Sequence, residues 1–291
     1  MIFHPMYSKI IAGTMTWGSW GNNLTSSQIS RLIEECVSEG VFTFDHADIY
    51  GGYTTEEIFG EAFTKSNIKR DAVQFISKCG IQYLSDTRNN KVKHYEYSKN
   101  YIIWSAEESI KKLKTDYLDL FLLHRPSPLM RAEEIAEAIY QLKQNGKILH
   151  FGVSNFSPLQ TDLIGKYTKV EVNQIECSLT HYHPIWDGNL DYMNVKNIQP
   201  MAWRPLGTYF KEENQQTLRI KQQLFTLQNK YNATENQLLL SWLLQHPSGI
   251  IPVVGTTQIK RIKELMAATS IQWETEDWFS VLVASQGHKV P

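Results

Sequence analysis

LDLFLLHRPSPLMRAEEIAEAIYQLKQNGKILHFGVS, residues 118–154, decides the fold. It opens on Leu118 to Leu123, a continuous apolar run broken only by Asp119. Such a run fits a strand covered on both faces. From 131 to 145, Ile135, Ile139 and Leu142 recur at helical spacing, and Gly146 stops the pattern. Residues 148–153 (ILHFGV) form a second short apolar run. Strand, helix and strand with short connections read as a parallel βαβ unit.

Working outward, the same unit repeats in both directions. Upstream, strands are predicted at 10–15, 41–45 and 73–77, with helices at 29–37, 55–65 and 101–114. The stretch 81–99 is polar and without a period, so it reads as a long connection, of the kind that often carries function. Downstream, Ser157-Pro158 starts a short helix. Strands follow at 170–174, 198–202 and 250–254, and 183–194 fills one helix position irregularly. Residues 215–245 read as two helices interrupted near Asn232 and Thr234, and two more are expected at 258–268 and 275–283. Eight strand positions, each followed by a helix position, predict a (β/α)8 TIM barrel of the α/β class. The rival is a doubly wound sheet, but no G-x-G-x-x-G follows any early strand. No break in patterning divides the chain, so one domain is expected over 1–291.

Composition narrows the function. A formal net charge of -1 gives no general attraction to nucleic acid or to an anionic membrane. No basic run exceeds two residues, and no apolar stretch approaches the ~20 residues of a membrane helix. The first residues lack the basic start and apolar run of a secretory leader. Cys36, Cys79 and Cys177 are odd in number and widely spaced, which points to reduced thiols and a cytoplasmic protein.

Polar residues gather at the ends of the predicted strands: Asp45, Lys78, His124, Ser154-Asn155, Gln174 and Trp203-Arg204. In a barrel these ends face one mouth. Buried polar groups are costly without partners, so their repetition there points to a site. Tyr50 lies in DHADIYGG, where Gly51 and Gly52 allow a sharp turn that brings the phenol back over the mouth. A lysine ammonium beside it is expected to pull the phenol below its usual value near ~10. Asp45 would hold Lys78, and His124 would hydrogen-bond at the same point. The set is a general acid for a carbonyl oxygen. Asp45, His46, Asp48 and His124 form a rival zinc set, but Lys78 would place a positive charge among the ligands.

These residues resemble the aldo-keto reductases, in particular a subgroup of predicted bacterial oxidoreductases. The matching stretches are GTMTWG (13–18), FDHADIYGG (44–52), SKCG (77–80), DLFLLHRP (119–126), GKILHFGVSNF (146–156), VNQIE (172–176), MAWRPLG (201–207) and VVGTTQIKRIKE (253–264). The resemblance implies a barrel that reduces a small-molecule carbonyl with NADPH, binding the cofactor first. It implies a catalytic tetrad of Asp45, Tyr50, Lys78 and His124. Cofactor contacts are implied for Thr16, Asp45, Ser154, Asn155, Gln174, Trp203, Arg204, Leu206, Gly255, Thr256, Thr257, Arg261 and Glu264. Trp203 stands where the ring that stacks on nicotinamide is usually tyrosine. Gly255 takes a familiar lysine position, and Leu265 an asparagine position that contacts adenine. The long carboxy-terminal loop of many members is missing. Substrate is expected against Trp17, Trp20, Tyr50 and His124, with Pro126, Tyr83, Tyr95 and Tyr97 as further walls, which favours apolar or aromatic aldehydes. No metal is expected, and a monomer is the first expectation. Two other functions fit the same fold: a redox-sensing or channel-regulating subunit with slow turnover, and a non-catalytic scaffold.

Overall fold

The structure, a computed structural model, describes residues 7–290. The reading of the first residues as no leader therefore falls largely outside the described residues. The elements in chain order are β1 (Ile11–Gly13), α1 (Ser26–Ser38), β2 (Thr43–Asp45), the tight turn α2 (Tyr50–Tyr53), α3 (Thr55–Phe63), β3 (Gln74–Cys79), β4 (Ile81–Gln82), β5 (His94–Tyr95) and α4 (Lys99–Lys112). They continue as β6 (Leu118–Leu123), α5 (Ala132–Gln144), β7 (Ile148–Ser154), α6 (Pro158–Gly165), β8 (Val172–Glu176), α7 (Asn189–Val195) and β9 (Gln199–Trp203). The last are α8 (Gln215–Tyr231), α9 (Glu235–Leu244), β10 (Ile251–Val254), α10 (Ile259–Ala267) and α11 (Thr275–Gln286).

Eight strands close in the order β1-β10-β9-β8-β7-β6-β3-β2. Every neighbouring pair is parallel, and β1 seals the ring against β10 with Ile11 opposite Val253. This is the expected (β/α)8 barrel. The apolar run of β6 is explained by the period of two. Leu120 and Leu122 join Ile11, Ile76, Val172, Met201 and Val253 in one cluster, while Phe121 and Leu123 join the larger cluster shared with the helices. Both faces are covered, so both must be apolar.

Local signals position the helices. Ser157 and Gln160 form a capping box at α6, with Pro158 in its first turn. Asn232 ends α8 in the left-handed region, at φ 47°, and Thr234 caps α9. That is the break legible near Asn232 and Thr234. The 81–99 connection carries more order than expected: β4 and β5 pair as a short antiparallel hairpin, with Ile81 opposite Tyr95. Two-residue strands are too short to display a period. Among the described residues, no helix is long and apolar enough to cross a membrane, and the three cysteines are free and buried.

Asp119, the one interruption in β6, serves the end of the barrel away from the site. Its carboxylate accepts from Arg70 Nη2 at 2.6 Å and from the Phe75 backbone N–H at 2.8 Å. Arg70 also donates to Val73 O, Tyr117 O and Thr115 Oγ1, and its guanidinium lies over the Phe75 and Tyr117 rings. Removing one partner of a buried pair leaves the other charge uncompensated. Arg70→Met is therefore expected to cost about 3–5 kcal/mol, less whatever water screens at this partly open end. Urea unfolding measures it. A midpoint equal to wild type would remove the stabilising role given to this pair.

Candidate active site

Asp45 ends β2, and Lys78 lies one residue inside the end of β3. Adjacent parallel strands bring the two side chains together at the mouth. Lys78 is fully buried, and its ammonium makes three bonds. It donates to Asp45 Oδ2 at 2.7 Å, to His46 O at 2.8 Å and to Tyr50 Oη at 3.2 Å. Tyr50 reaches this point because the chain doubles back in α2. Gly51 (φ 61°) and Gly52 (φ 65°) are both left-handed there, a conformation that strains residues with a Cβ. The His124 ring stands edge-on to Tyr50, with centroids 6.1 Å apart. Asp45, Tyr50, Lys78 and His124 thus form one cluster.

The electrostatics follow from burial and contact. Burial alone would lower the Lys78 pKa, but Asp45 and Tyr50 outweigh it and keep the ammonium charged. His124 is held neutral, its pKa pushed well down by burial first and then by Lys78 and Arg125. The expectation for Tyr50 is corrected. Burial raises its pKa more than Lys78 lowers it, so the net shift is upward from the usual tyrosine value. The phenol therefore stays protonated at neutral pH.

A chain of hydrogen bonds runs from this cluster across the barrel. Gln174 Nε2 donates to Asp45 Oδ1 at 2.9 Å, joining β8 to β2. Ser154 Oγ donates to Gln174 O at 2.8 Å, and Asn155 Nδ2 donates to Ser154 Oγ at 2.7 Å. Trp203 Nε1 donates to Asn155 Oδ1 at 2.9 Å. Asn155 is left-handed (φ 62°), a region asparagine tolerates better than most residues. Ser154, Asn155, Gln174 and Trp203 are therefore brought together. Arg204, also left-handed, turns to Glu176, with Nη1 to Oε1 at 3.2 Å. A cleft of about 500 Å³ opens beside Trp203, and Arg125, Asn155, Gln160, Glu176 and His181 are in its lining. Phe156, Ile175 and Pro184 complete a mixed lining, of which Asn155 and Trp203 were the expected members. The apolar wall stands elsewhere: Trp20 packs on Tyr83 and Tyr50, with centroids 5.1 and 6.3 Å away.

After β10, Gly255 is exposed, and Thr256 and Thr257 are half-buried. A Cβ at Gly255 would meet nothing nearer than Thr16 Oγ1 at 3.9 Å, so Thr16 and this segment flank one open approach. Asn22 Nδ2 donates to Thr257 Oγ1. Arg261 is exposed on α10, while Ile262 and Leu265 face inward. Leu206 is half-buried against the core.

Several expectations are corrected. Trp17 is not a pocket wall. It is 1% exposed, packs on Phe44 and Phe59, and donates its indole N–H to Thr256 O. The turn closed by Trp17 N–H to Thr14 O directs it inward. Trp20, three residues on, is 37% exposed and packs against Tyr50 and Tyr83. Tyr97 is also buried, and its hydroxyl bonds the backbone of Arg125. Glu264 is tied to the fold, its carboxylate accepting from Thr234 Oγ1. Leu265 is buried and cannot face a ligand. The helix expected over 258–268 is α10, which starts at Ile259, so four residues of loop separate it from β10. Of the residues weighed as metal ligands, His46 pairs with Thr14 Oγ1 through Nδ1. Asp48, pushed up to about 7 by burial and Glu56, accepts from Ser105 and Tyr101. Sequence reading passed over Arg125, although it directly follows His124.

Comparison with known proteins agrees with this geometry. The profile of the aldo/keto reductase family matches residues 9–281. The uncharacterized oxidoreductase YcsN of Bacillus subtilis is 39% identical, with 98% of this chain and 96% of the relative covered. A 6-dehydroglucose reductase of Agrobacterium fabrum is 34% identical, with 97% of each covered. An aldo/keto reductase of Klebsiella pneumoniae, solved in complex with NADP and acetate, superposes with a TM-score of 0.78 at 24% identity, over 94% of this chain and 90% of that one. With a family match over nearly its whole length and relatives above 30% identity, this protein belongs to the aldo/keto reductase family.

Proposed function

We propose that this protein uses NADPH to reduce an aldehyde or ketone to the alcohol. One observation carries the reading: the Tyr50 hydroxyl held at 3.2 Å by a buried ammonium whose other bonds go to Asp45 and a backbone carbonyl. That is a fixed proton donor beside a permanent positive charge, suited to an oxygen that gains negative charge.

The residues present fit the cofactor. Trp203 offers a flat, half-buried ring beside the Asn155 and Ser154 polar groups. Gly255 leaves the backbone open to close approach, and Lys260, Arg261 and Lys263 are exposed nearby. Trp203 would carry the nicotinamide, Ser154, Asn155 and Gln174 its carboxamide, and Arg261 the 2′-phosphate. When bound, NADPH supplies the hydride. Tyr50 gives its proton to the substrate oxygen. Lys78 stabilises the phenolate left behind, and Asp45 holds Lys78 in line. Neutral His124 orients the same oxygen from the other side. The relative named for 6-dehydroglucose brings sugar carbonyls into the substrate range, beside the aromatic aldehydes suited to Trp20 and Tyr83.

The test is a carbonyl panel followed by NADPH absorbance, with cofactor binding measured alongside. Turnover on at least one class is expected. Tight NADPH binding without turnover would favour the sensing role, and absence of binding would favour a scaffold. Cofactor choice has its own test. Arg261→Ala is expected to raise the NADPH dissociation constant about tenfold or more, through loss of charge-assisted bonds, and to change NADH binding little. Isothermal titration decides it: equal weakening for both cofactors would remove Arg261 as the discriminator.

A further inference from the structure

Resting on that reading, we propose that Arg125 is a specificity-determining residue that selects carbonyl substrates bearing a carboxylate or phosphate a few bonds from the reacting carbon.

The residue is built into place. Gly80, at φ 110°, leaves room for the Tyr97 ring, which a Cβ there would strike. Tyr97 is thereby inserted beneath the mouth, and it pins the Arg125 backbone twice. Its hydroxyl donates to Arg125 O at 2.6 Å and accepts from Arg125 N–H at 3.2 Å. The side chain then lies against Trp203, with the guanidinium carbon 5.2 Å from the ring centroid. It lines the cleft with Asn155, Gln160 and His181.

Its fork is free. Arg70 and Arg204 each have a carboxylate partner, and Arg219 donates to two carbonyls. Among the described residues, the Arg125 guanidinium has no hydrogen-bond or ion-pair partner. Of the two carboxylates lining the same cleft, Glu176 pairs with Arg204 and Asp187 is exposed and accepts from the Asn189 N–H; among the described residues neither pairs with Arg125. A half-buried cation without a counter-ion favours a ligand that brings one. A planar five-donor fork suits a carboxylate or phosphate better than a hydroxyl. Arg125 follows His124 directly, and its charge acts on both His124 and Tyr50. In the chain Arg125 is the residue next to His124, whose ring faces Tyr50, so an anion held by Arg125 lies on the same side of the barrel mouth as the proton donor.

The test uses matched pairs: succinic semialdehyde against its methyl ester, and glyceraldehyde 3-phosphate against glyceraldehyde. Each is read as the ratio of kcat/KM for the anion to that for the neutral partner. The ratio cancels the field of Arg125 on Tyr50, which both partners share. Wild type is expected to favour the anion about tenfold or more, with the carboxylate and phosphate arms showing which source is preferred. Arg125→Gln is expected to bring the ratio close to one, Arg125→Lys to keep part of it, and Tyr97→Phe to lower it by loosening the backbone. Equal loss for both partners in Arg125→Gln, or no preference in wild type, overturns the proposal. A binding measurement separates this from failure of the reductase reading. Butyrate, which has no carbonyl to reduce, is expected to change the tryptophan fluorescence of the wild-type protein saturably. Butanol is expected not to, and Arg125→Gln is expected to abolish the butyrate response. Should no carbonyl be reduced, that response still supports anion recognition. Its absence, or an identical response in Arg125→Gln, overturns it.

Discussion

Tyr50→Phe is expected to lower carbonyl reduction about 10²–10⁴-fold, the usual contribution of a positioned general acid. Only the phenol oxygen is removed. The ring stays beside Trp20 and His124, so the wall of the site keeps its shape. Cofactor affinity should be close to wild type, because the Trp203, Asn155 and Ser154 contacts do not involve Tyr50. The variant does leave Lys78 with two bonds in place of three, but Asp45 and His46 O still hold it. Steady-state rates on a substrate that wild type reduces, with a parallel fluorescence titration of NADPH, give both numbers. Activity within threefold of wild type would remove Tyr50 as the proton donor.

Lys78→Met is expected to suppress turnover by about 10²-fold or more, since it removes the charge that stabilises the phenolate as the proton leaves. The pH profile gives the sharper reading. Burial raises the Tyr50 pKa and Lys78 opposes that rise. Without Lys78 the phenol titrates higher still. Reduction needs the protonated phenol, so the fall in rate at high pH should move to higher pH in the variant. An unmoved limb with intact activity would rule out this role. The substitution also strands the buried Asp45 carboxylate, left with Gln174 as its side-chain partner. Thermal unfolding therefore accompanies the assay. If Lys78→Met does not fold, the Lys78→Met/Asp45→Asn pair, which removes both charges, carries the pH comparison with a smaller upward shift, because Asp45 itself raises the Tyr50 pKa and its loss offsets part of the loss of Lys78.

Much of the site was legible because barrel geometry turns sequence position into spatial position. Polar residues closing successive strand runs had to share one mouth, and Asp45, Lys78, Ser154 and Gln174 do meet there. Loop residues were less legible. Trp17 and Trp20 lie three apart in one connection, yet one belongs to the core and the other to the wall. Tyr83 and Tyr97 sit at opposite ends of another, and only Tyr97 is buried. A loop has no period, so spacing does not say which way its side chains face.

By itself, the sequence determined the alternation of eight strands and helices, the helix break at Asn232 and Thr234, and the polar identity of the strand ends. These depend on residue type and local period, which act within a few positions along the chain. Tertiary structure alone decided the partners. Closing the barrel sets Gln174 against Asp45, 129 positions away. Burying Tyr50 raises its pKa despite the adjacent ammonium, since desolvation depends on everything packed around the hydroxyl. The same closure sets Arg125 on Trp203 and leaves it, among the described residues, without an ion-pair partner, while Glu176 of the same cleft pairs with Arg204. Which charges are paired and which stay free is a property of the assembled barrel mouth, where side chains from distant segments compete for one another.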